Sequence, residues 1–259
     1  MRSVRRGPVL AATLLAAPLL AALTGCGGTG GSGTDDRTLV VLAAASLSES
    51  FGELAEVFED ANPGVDVRLS LDSSATLAQQ AVEGAPADVL ATADLRTMRT
   101  AADAGALAAE AEVFATNAMV LVTPADTDVG ITEFADIMGT TYVVCVESAP
   151  CGAISRELLD VNGIESDPAS LEVDVKAVLT KVLLGEADAG MVYATDAAAA
   201  GDAVRTYEVP GAAGLLNDYP VAVLAEAPEP DLAHAWTELV LSAEGQRVLA
   251  RHGFGPARP

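Results

Sequence analysis

The chain has 259 residues, 51% of them hydrophobic, with 14 basic against 37 acidic side chains and a formal charge of −23. Such an excess of negative charge excludes nucleic acid and anionic membrane surfaces as partners held by charge. It does not exclude a small anion in a pocket, because screening over ~8 Å leaves local donors to decide there.

Arg2, Arg5 and Arg6 precede an uncharged apolar run from Val9 to Leu23, the layout of a secretory signal. The run ends in Leu23-Thr24-Gly25-Cys26, which resembles the bacterial lipobox and implies cleavage at residue 25 with a lipid on Cys26. It is short for a membrane span of ~20 residues, and no second candidate span follows. Residues 26–36, almost all Gly, Ser, Thr and Asp, read as a flexible tether. Removing residues 1–25 takes away three basic residues and no acidic one, so the mature charge is 11 − 37 = −26. With Cys26 assigned to the lipid, Cys145 and Cys151 remain as a possible disulfide in an oxidising compartment, and Ser148-Ala149-Pro150 offers the turn between them.

The folded part is about 220 residues, long for one compact domain and comfortable for two lobes sharing a cleft. Leu39-Val40-Val41-Leu42 reads as a buried strand, and Leu47, Phe51, Leu54, Ala55 and Phe58 follow at helical spacing. Ser46 therefore falls at a helix N-terminus, where free N–H groups and the helix dipole suit an anion. Ser46 and Glu49 equally fit a capping box, S-x-x-E, that needs no ligand. Asn62-Pro63-Gly64 stops the helix, residues 65–69 alternate as a strand, and Ser70, Ser73, Ser74 and Thr76 precede a second helix over 77–82. Val89-Leu90-Ala91 is a further strand, with Asp94 as cap of the next helix. This βαβαβ rhythm favours a parallel sheet, with helix N-termini gathered along the edge where open α/β proteins bind ligands.

The rhythm restarts with a strand over 118–123, a helix over 132–138, a strand over 142–146 and a helix over 151–161. Asp174 can cap a helix whose apolar face is Val175, Val178, Leu179, Val182 and Leu183, and Ala189-Gly190-Met191-Val192-Tyr193 returns as a strand. An Ala-rich helix to residue 200 and strands over 204–209 and 219–224 follow. Two C-terminal helices close the chain, the first carrying Trp236 on its core face and the second ending at Gly253.

Seven stretches in this order carry a resemblance: Ala43-Ala44-Ala45-Ser46-Leu47, Ser73-Ser74-Ala75-Thr76-Leu77-Ala78, Gly84-Ala85-Pro86-Ala87-Asp88, Pro150-Cys151-Gly152, Asp174-Val175-Lys176, Gly190-Met191-Val192-Tyr193 and Tyr219-Pro220-Val221-Ala222-Val223. Over nearly all of the chain beyond the tether, they resemble the periplasmic molybdate-binding proteins of bacterial ABC transporters. The resemblance implies an α/β, two-lobed periplasmic binding protein of type II, each lobe a mainly parallel sheet flanked by helices, with the ligand in the interlobe cleft. Lobe 1 would be 37–119 plus 220–259 and lobe 2 would be 120–219. It further implies a tetrahedral oxyanion held by neutral donors: the hydroxyls of Ser46 and Ser74, the N–H groups of Cys151 and Val175, and the hydroxyl of Tyr193. No acidic residue falls at these matched positions, which favours a fully deprotonated ion over hydrogenphosphate. Cys151 departs from the family, which commonly has Ala there, but a backbone donor tolerates either side chain.

The implied function is extracytoplasmic binding of molybdate or tungstate and delivery to an ABC permease and its ATPase. No cofactor, no catalysis and no metal beyond the oxyanion's own are implied. The protein would be a monomer held to the outer face of the membrane by the lipid on Cys26. Other readings stay open at this point. One is a general carrier of sulfate-like oxyanions, and another is a sensor or docking ectodomain. A third is a thiol-dependent enzyme with Cys151 as nucleophile and His234 or His252 as base. Tyr193 could equally be an interface tyrosine and Ser74 a plain helix cap.

Overall fold

The computed structural model describes residues 37–258. The signal at 1–25, the lipidation site Cys26 and the tether to residue 36 lie outside the described residues.

Strand β1 (Arg37–Ala44) lies between β2 (Val65–Asp72) and β3 (Val89–Ala91), parallel to both. It is covered on both faces, which is why its apolar run is continuous instead of alternating. Helices α1 (Ser48–Ala61) and α2 (Ser74–Val82) make the two crossovers, and α3 (Leu95–Asp103) follows β3. Phe51, Leu54, Ala55 and Phe58 form the buried stripe of α1. Asp94 caps α3 by accepting from the Thr97 N–H at 2.7 Å.

The chain then runs through β4 (Glu112–Asn117) and, across Ala118 alone, into β5 (Met119–Pro124), which belongs to a different sheet. That second sheet is completed by β6 (Tyr142–Cys145), β7 (Ser170–Glu172), β8 (Ala189–Tyr193) and β9 (Val204–Glu208) in the order β7-β6-β8-β5-β9. Helices α4 (Pro150–Val161), α5 (Val175–Leu183) and α6 (Ala194–Ala200) accompany it. Strand β10 (Asn217–Val223) returns to the first sheet, followed by α7 (Pro230–Leu241), α8 (Ala243–Arg251) and β11 (Gly255–Pro256). The order there is β11-β4-β10-β3-β1-β2.

The α/β class and the two helix-flanked sheets agree with the expectation, but the pairing is mixed, not mainly parallel. In the first sheet β10 runs antiparallel to β3 and β4, and in the second β5 runs antiparallel to β8 and β9. The reason is connectivity: β4, β5 and β10 lie at the passages between sheets, so no right-handed helical crossover sets their direction. Three strands escape the sequence reading, the Ala-Thr-Asn-ended β4, the three-residue β7 and the two-residue β11. Residues 132–138 form a 3₁₀ turn (Phe134–Gly139) in place of an α-helix.

Two core features place the cleft. Trp236 of α7 packs edge-on against Phe51 and Phe58 of α1, with ring centroids 5.4 and 5.6 Å away, and so anchors the helix that follows Ser46. Gly190 of β8 lets α5 settle directly on the strand. A Cβ there would stand 2.8 Å from Val178 Cγ1 and 2.9 Å from Val182 Cγ2. Fully buried Asp88 ties β1 to the C-terminal return, accepting from the Val40 and Glu229 N–H groups at 2.8 and 2.6 Å. No helix among the described residues is long and apolar enough to cross a membrane.

Candidate functional site

Ser46, Ser74, Cys151, Val175 and Tyr193 all line one cavity between the ends of the two sheets. Ser46 sits in a 3₁₀ turn (Ala45–Leu47) between β1 and α1, and Ser74 is the first residue of α2. Cys151 is the second residue of α4, Val175 the first of α5 and Tyr193 the last of β8. Three helix starts and one 3₁₀ turn therefore converge, each bringing N–H groups with no partner inside the helix. The cavity measures about 20 Å3 as volume open to the centre of a water-sized sphere, and one water needs ~10–15 Å3 by that measure. It suits a compact ion, not a sugar or a peptide.

The local bonds decide which groups are free to donate. Ser74 Oγ accepts from the Ala93 N–H at 2.9 Å, which leaves its own proton to give. Asp174 caps α5 through the Ala177 N–H at 2.9 Å, so the cap leaves the N–H of Val175 unused. Tyr193 is 1% exposed, and its hydroxyl has no hydrogen-bond partner among the described residues. Burial pushes the Tyr193 phenol well above its ordinary range, so it remains protonated and a donor. An unpaired buried hydroxyl costs ~1–3 kcal/mol, which an accepting ligand would recover.

The capping-box reading of Ser46 and Glu49 is overturned. Helix α1 begins at Ser48 with no side-chain cap, because the 3₁₀ turn carries Ser46 out of capping position. Ser46 Oγ lies 2.9 Å from Tyr219 Oη instead. Glu49 reaches across the cleft to Lys176 of α5, 2.8 and 2.9 Å from its two carboxylate oxygens. Lys176 also sits 2.9 Å from Oδ1 of the fully buried Asp196. The ammonium nearest the cavity is thus occupied by two carboxylates, and no basic side chain lines the cavity among the described residues.

Two acidic residues also belong to the wall, Asp72, which the sequence reading passed over, and Asp174, which it read only as a helix cap. Each has an oxygen engaged by a helix-start N–H: Asp72 takes that of Ser73 at 2.6 Å and Asp174 that of Ala177. Position just before a helix start was the available signal for both.

Cys145 and Cys151 are joined by a disulfide that closes the turn leading into α4. With its sulfur so engaged Cys151 has no thiolate to act as nucleophile. Neither histidine lines the cavity: His252 pairs with Glu53 at 2.8 Å and His234 is exposed. Among the described residues no cluster of His, Cys, Asp and Glu could hold a metal ion. Replacing both cysteines by Ser is expected to cost about 2 kcal/mol in urea unfolding, as a short loop warrants, while leaving the Cys151 N–H in place. Loss of the fold on reduction would mean the bridge holds more than this turn.

Residues 39–255 match the family of bacterial extracellular solute-binding proteins. The chain belongs to that family. This solute-binding protein is 41% identical over 253 residues to the molybdate-binding protein ModA of Mycobacterium tuberculosis, covering 95% of this chain and 97% of that one. In fold it is similar to the periplasmic molybdate-binding protein of Azotobacter vinelandii, with a TM-score of 0.76 at 18% identity over 85% of this chain and all of that one. It is nearly as similar to the sulfate-binding protein SubI of Mycobacterium tuberculosis, with a TM-score of 0.75 at 17% identity over 86% and 88% of the two chains. At those identities the two structures speak for the fold alone. The extracellular placement of the family agrees with the secretory signal read at the N-terminus.

Proposed function

We propose that this solute-binding protein captures molybdate, and tungstate with it, outside the cell membrane and hands it to an ABC permease and its ATPase without altering it. The observation that carries the reading is the cavity itself. It is one small space whose wall brings together serine hydroxyls, two helix-start amides and a buried tyrosine hydroxyl with no partner of its own. Asp72 and Asp174 in the same wall each have an oxygen taken by a backbone N–H. Five hydrogen bonds to a dianion at ~1.5–3 kcal/mol each, less desolvation and closure, leave room for binding in the micromolar range. The 41% identity to a protein named for molybdate supports the choice of ion. In this reading Ser46, Ser74, Tyr193 and the N–H groups of Cys151 and Val175 hold the oxyanion. The two parts built on the two sheets, which divide within a few residues of the bounds read from the sequence, close on it about the two chain passages. A lipid on Cys26 would keep the monomer at the membrane.

Calorimetric titration with molybdate, tungstate, sulfate and phosphate tests the reading. Heat with molybdate and tungstate is expected, and silence toward both would overturn it. Ser46→Ala and Tyr193→Phe are each expected to weaken molybdate by about 1–3 kcal/mol, roughly fivefold to 150-fold, with the fold retained. Unchanged affinity in both would place the ion elsewhere. A general oxyanion carrier is the second reading, favoured by the near-equal likeness of fold to a sulfate-binding protein. Equal affinities for sulfate and molybdate would establish it.

A further inference from the structure

Tyr219 does not line the cavity, yet its hydroxyl lies 2.9 Å from that of Ser46, a cavity hydroxyl that no backbone N–H sets as a donor. Ser74 is set as a donor by a backbone N–H, a group that can only donate to it. Ser46 has no such neighbour. Its partner is a phenol, and a phenol can give or take a proton.

What lies behind the phenol favours one direction. Asn117 Oδ1 accepts from the Ala118 N–H at 3.0 Å, which turns the amide so that its Nδ2 faces Thr195 Oγ1 at 2.9 Å and Tyr219 Oη at 3.5 Å. With an N–H directed at its oxygen, Tyr219 gives its own proton onward, and Ser46 Oγ lies in reach at 2.9 Å. Both Tyr219 and Asn117 are buried, so solvent does not compete for these groups. The ring is held by edge contacts with Phe254, Tyr193 and Phe114, centroids 5.3, 5.9 and 6.3 Å away. Such a chain strengthens along its length, most of all when it ends on an anion.

We propose that Tyr219 is a positioning residue that commits Ser46 to donate: Asn117 donates to Tyr219, Tyr219 to Ser46, and Ser46 to the oxyanion in the cavity. This deepens the oxyanion-binding reading above and rests on it. Tyr219→Phe keeps the ring and its contacts and removes only the relay.

The test is a double-mutant cycle on the mature protein with sodium molybdate as probe. Wild type, Ser46→Ala, Tyr219→Phe and the double variant are titrated calorimetrically, with thermal unfolding of each as control. Each single variant is expected to lose about tenfold in affinity, and the double variant no more than Ser46→Ala alone. Multiplied losses, or a Tyr219→Phe protein that binds like wild type, would overturn the proposal while wild-type binding upholds the oxyanion reading. A wild type silent toward molybdate, tungstate and sulfate alike would overturn both. Anion choice gives a second readout, since a Ser46 hydroxyl released from Tyr219 can accept from hydrogenphosphate. The ratio of molybdate to phosphate affinity should fall about tenfold in Tyr219→Phe. Equal losses for both ions would mean that Tyr219 merely packs.

Discussion

Lys176→Met is expected to destabilise the folded domain by about 2–3 kcal/mol near pH 7.5, and by less than about 1 kcal/mol near pH 5. The difference lies with Asp196. Burial pushes its carboxyl from the ordinary 3.8 up to about 6, although Lys176 beside it pulls the other way. Near pH 7.5 the side chain is charged and fully buried, and Lys176 is its counter-ion; removing one partner of a buried pair leaves the other exposed to the full cost of desolvation. The estimate stays at the low end because the Lys176 side chain is itself 26% exposed. Near pH 5 Asp196 is mostly protonated, and only the Glu49–Lys176 contact remains to lose. That pair is 41% and 26% exposed, a setting in which ion pairs contribute ~0–1 kcal/mol. Glu49→Gln should therefore cost little at either pH.

The sign in the wild type follows from the same carboxyl. Its folded pKa lies above its unfolded value, so the stability it contributes is complete below about pH 4 and is lost as pH rises through about 6. Glu49 works in the opposite sense. Burial raises its carboxyl, the hydrogen bonds from Lys176 and Ser48 outweigh that and lower it, and its contribution fades as pH falls. Comparing wild type with Asp196→Asn isolates the first effect. The variant should lack the decline between pH ~4 and ~6 in a series of urea-unfolding measurements. An identical pH profile for both proteins would mean that Asp196 does not titrate in that window.

Gly152→Ala is expected to cost at least about 3 kcal/mol and to abolish measurable binding of the oxyanion. Alanine is ordinarily the better helix residue by ~0.5–1 kcal/mol, and Gly152 lies inside α4. Here sterics reverse the sign. A Cβ would fall 1.9 Å from the Val146 carbonyl oxygen and 2.4 Å from its carbon, and both are backbone atoms. Val146 cannot swing aside, because Cys145 next to it is bridged to Cys151 next to Gly152. The start of α4 must back away instead, taking the Cys151 N–H out of the cavity wall. Gly52→Ala is the control, since a Cβ there meets nothing within 4 Å on α1 and should stabilise slightly. Thermal unfolding and molybdate titration of both variants check the pair. A Gly152→Ala protein that melts and binds like wild type would show that the turn can yield.

Sequence alone located the helix starts, because a helix start is local. An apolar strand, hydroxyl or carboxylate residues at the break and a 3.6-residue stripe beyond it lie within about a dozen positions. That is how Ser46 and Ser74 were read at helix starts and why Asp94 and Asp174 were legible as caps, whereas the family resemblance was needed to join them with Cys151, Val175 and Tyr193 as one set of donors. Strands β4 and β7 were not legible. One is polar at both ends and the other spans three residues, so neither shows a period to read. What those hydroxyls and charges do was decided only by tertiary contact. Ser46 meets Tyr219 from 173 positions away, Glu49 meets Lys176 from 127, and Asp72 joins Asp174 in one wall. Periodicity determined where helix starts would stand along the chain, and the family resemblance which of their groups would be donors. Packing of one lobe on the other decided which of them are already satisfied, which charge is cancelled, and therefore which hydroxyls remain to meet an anion.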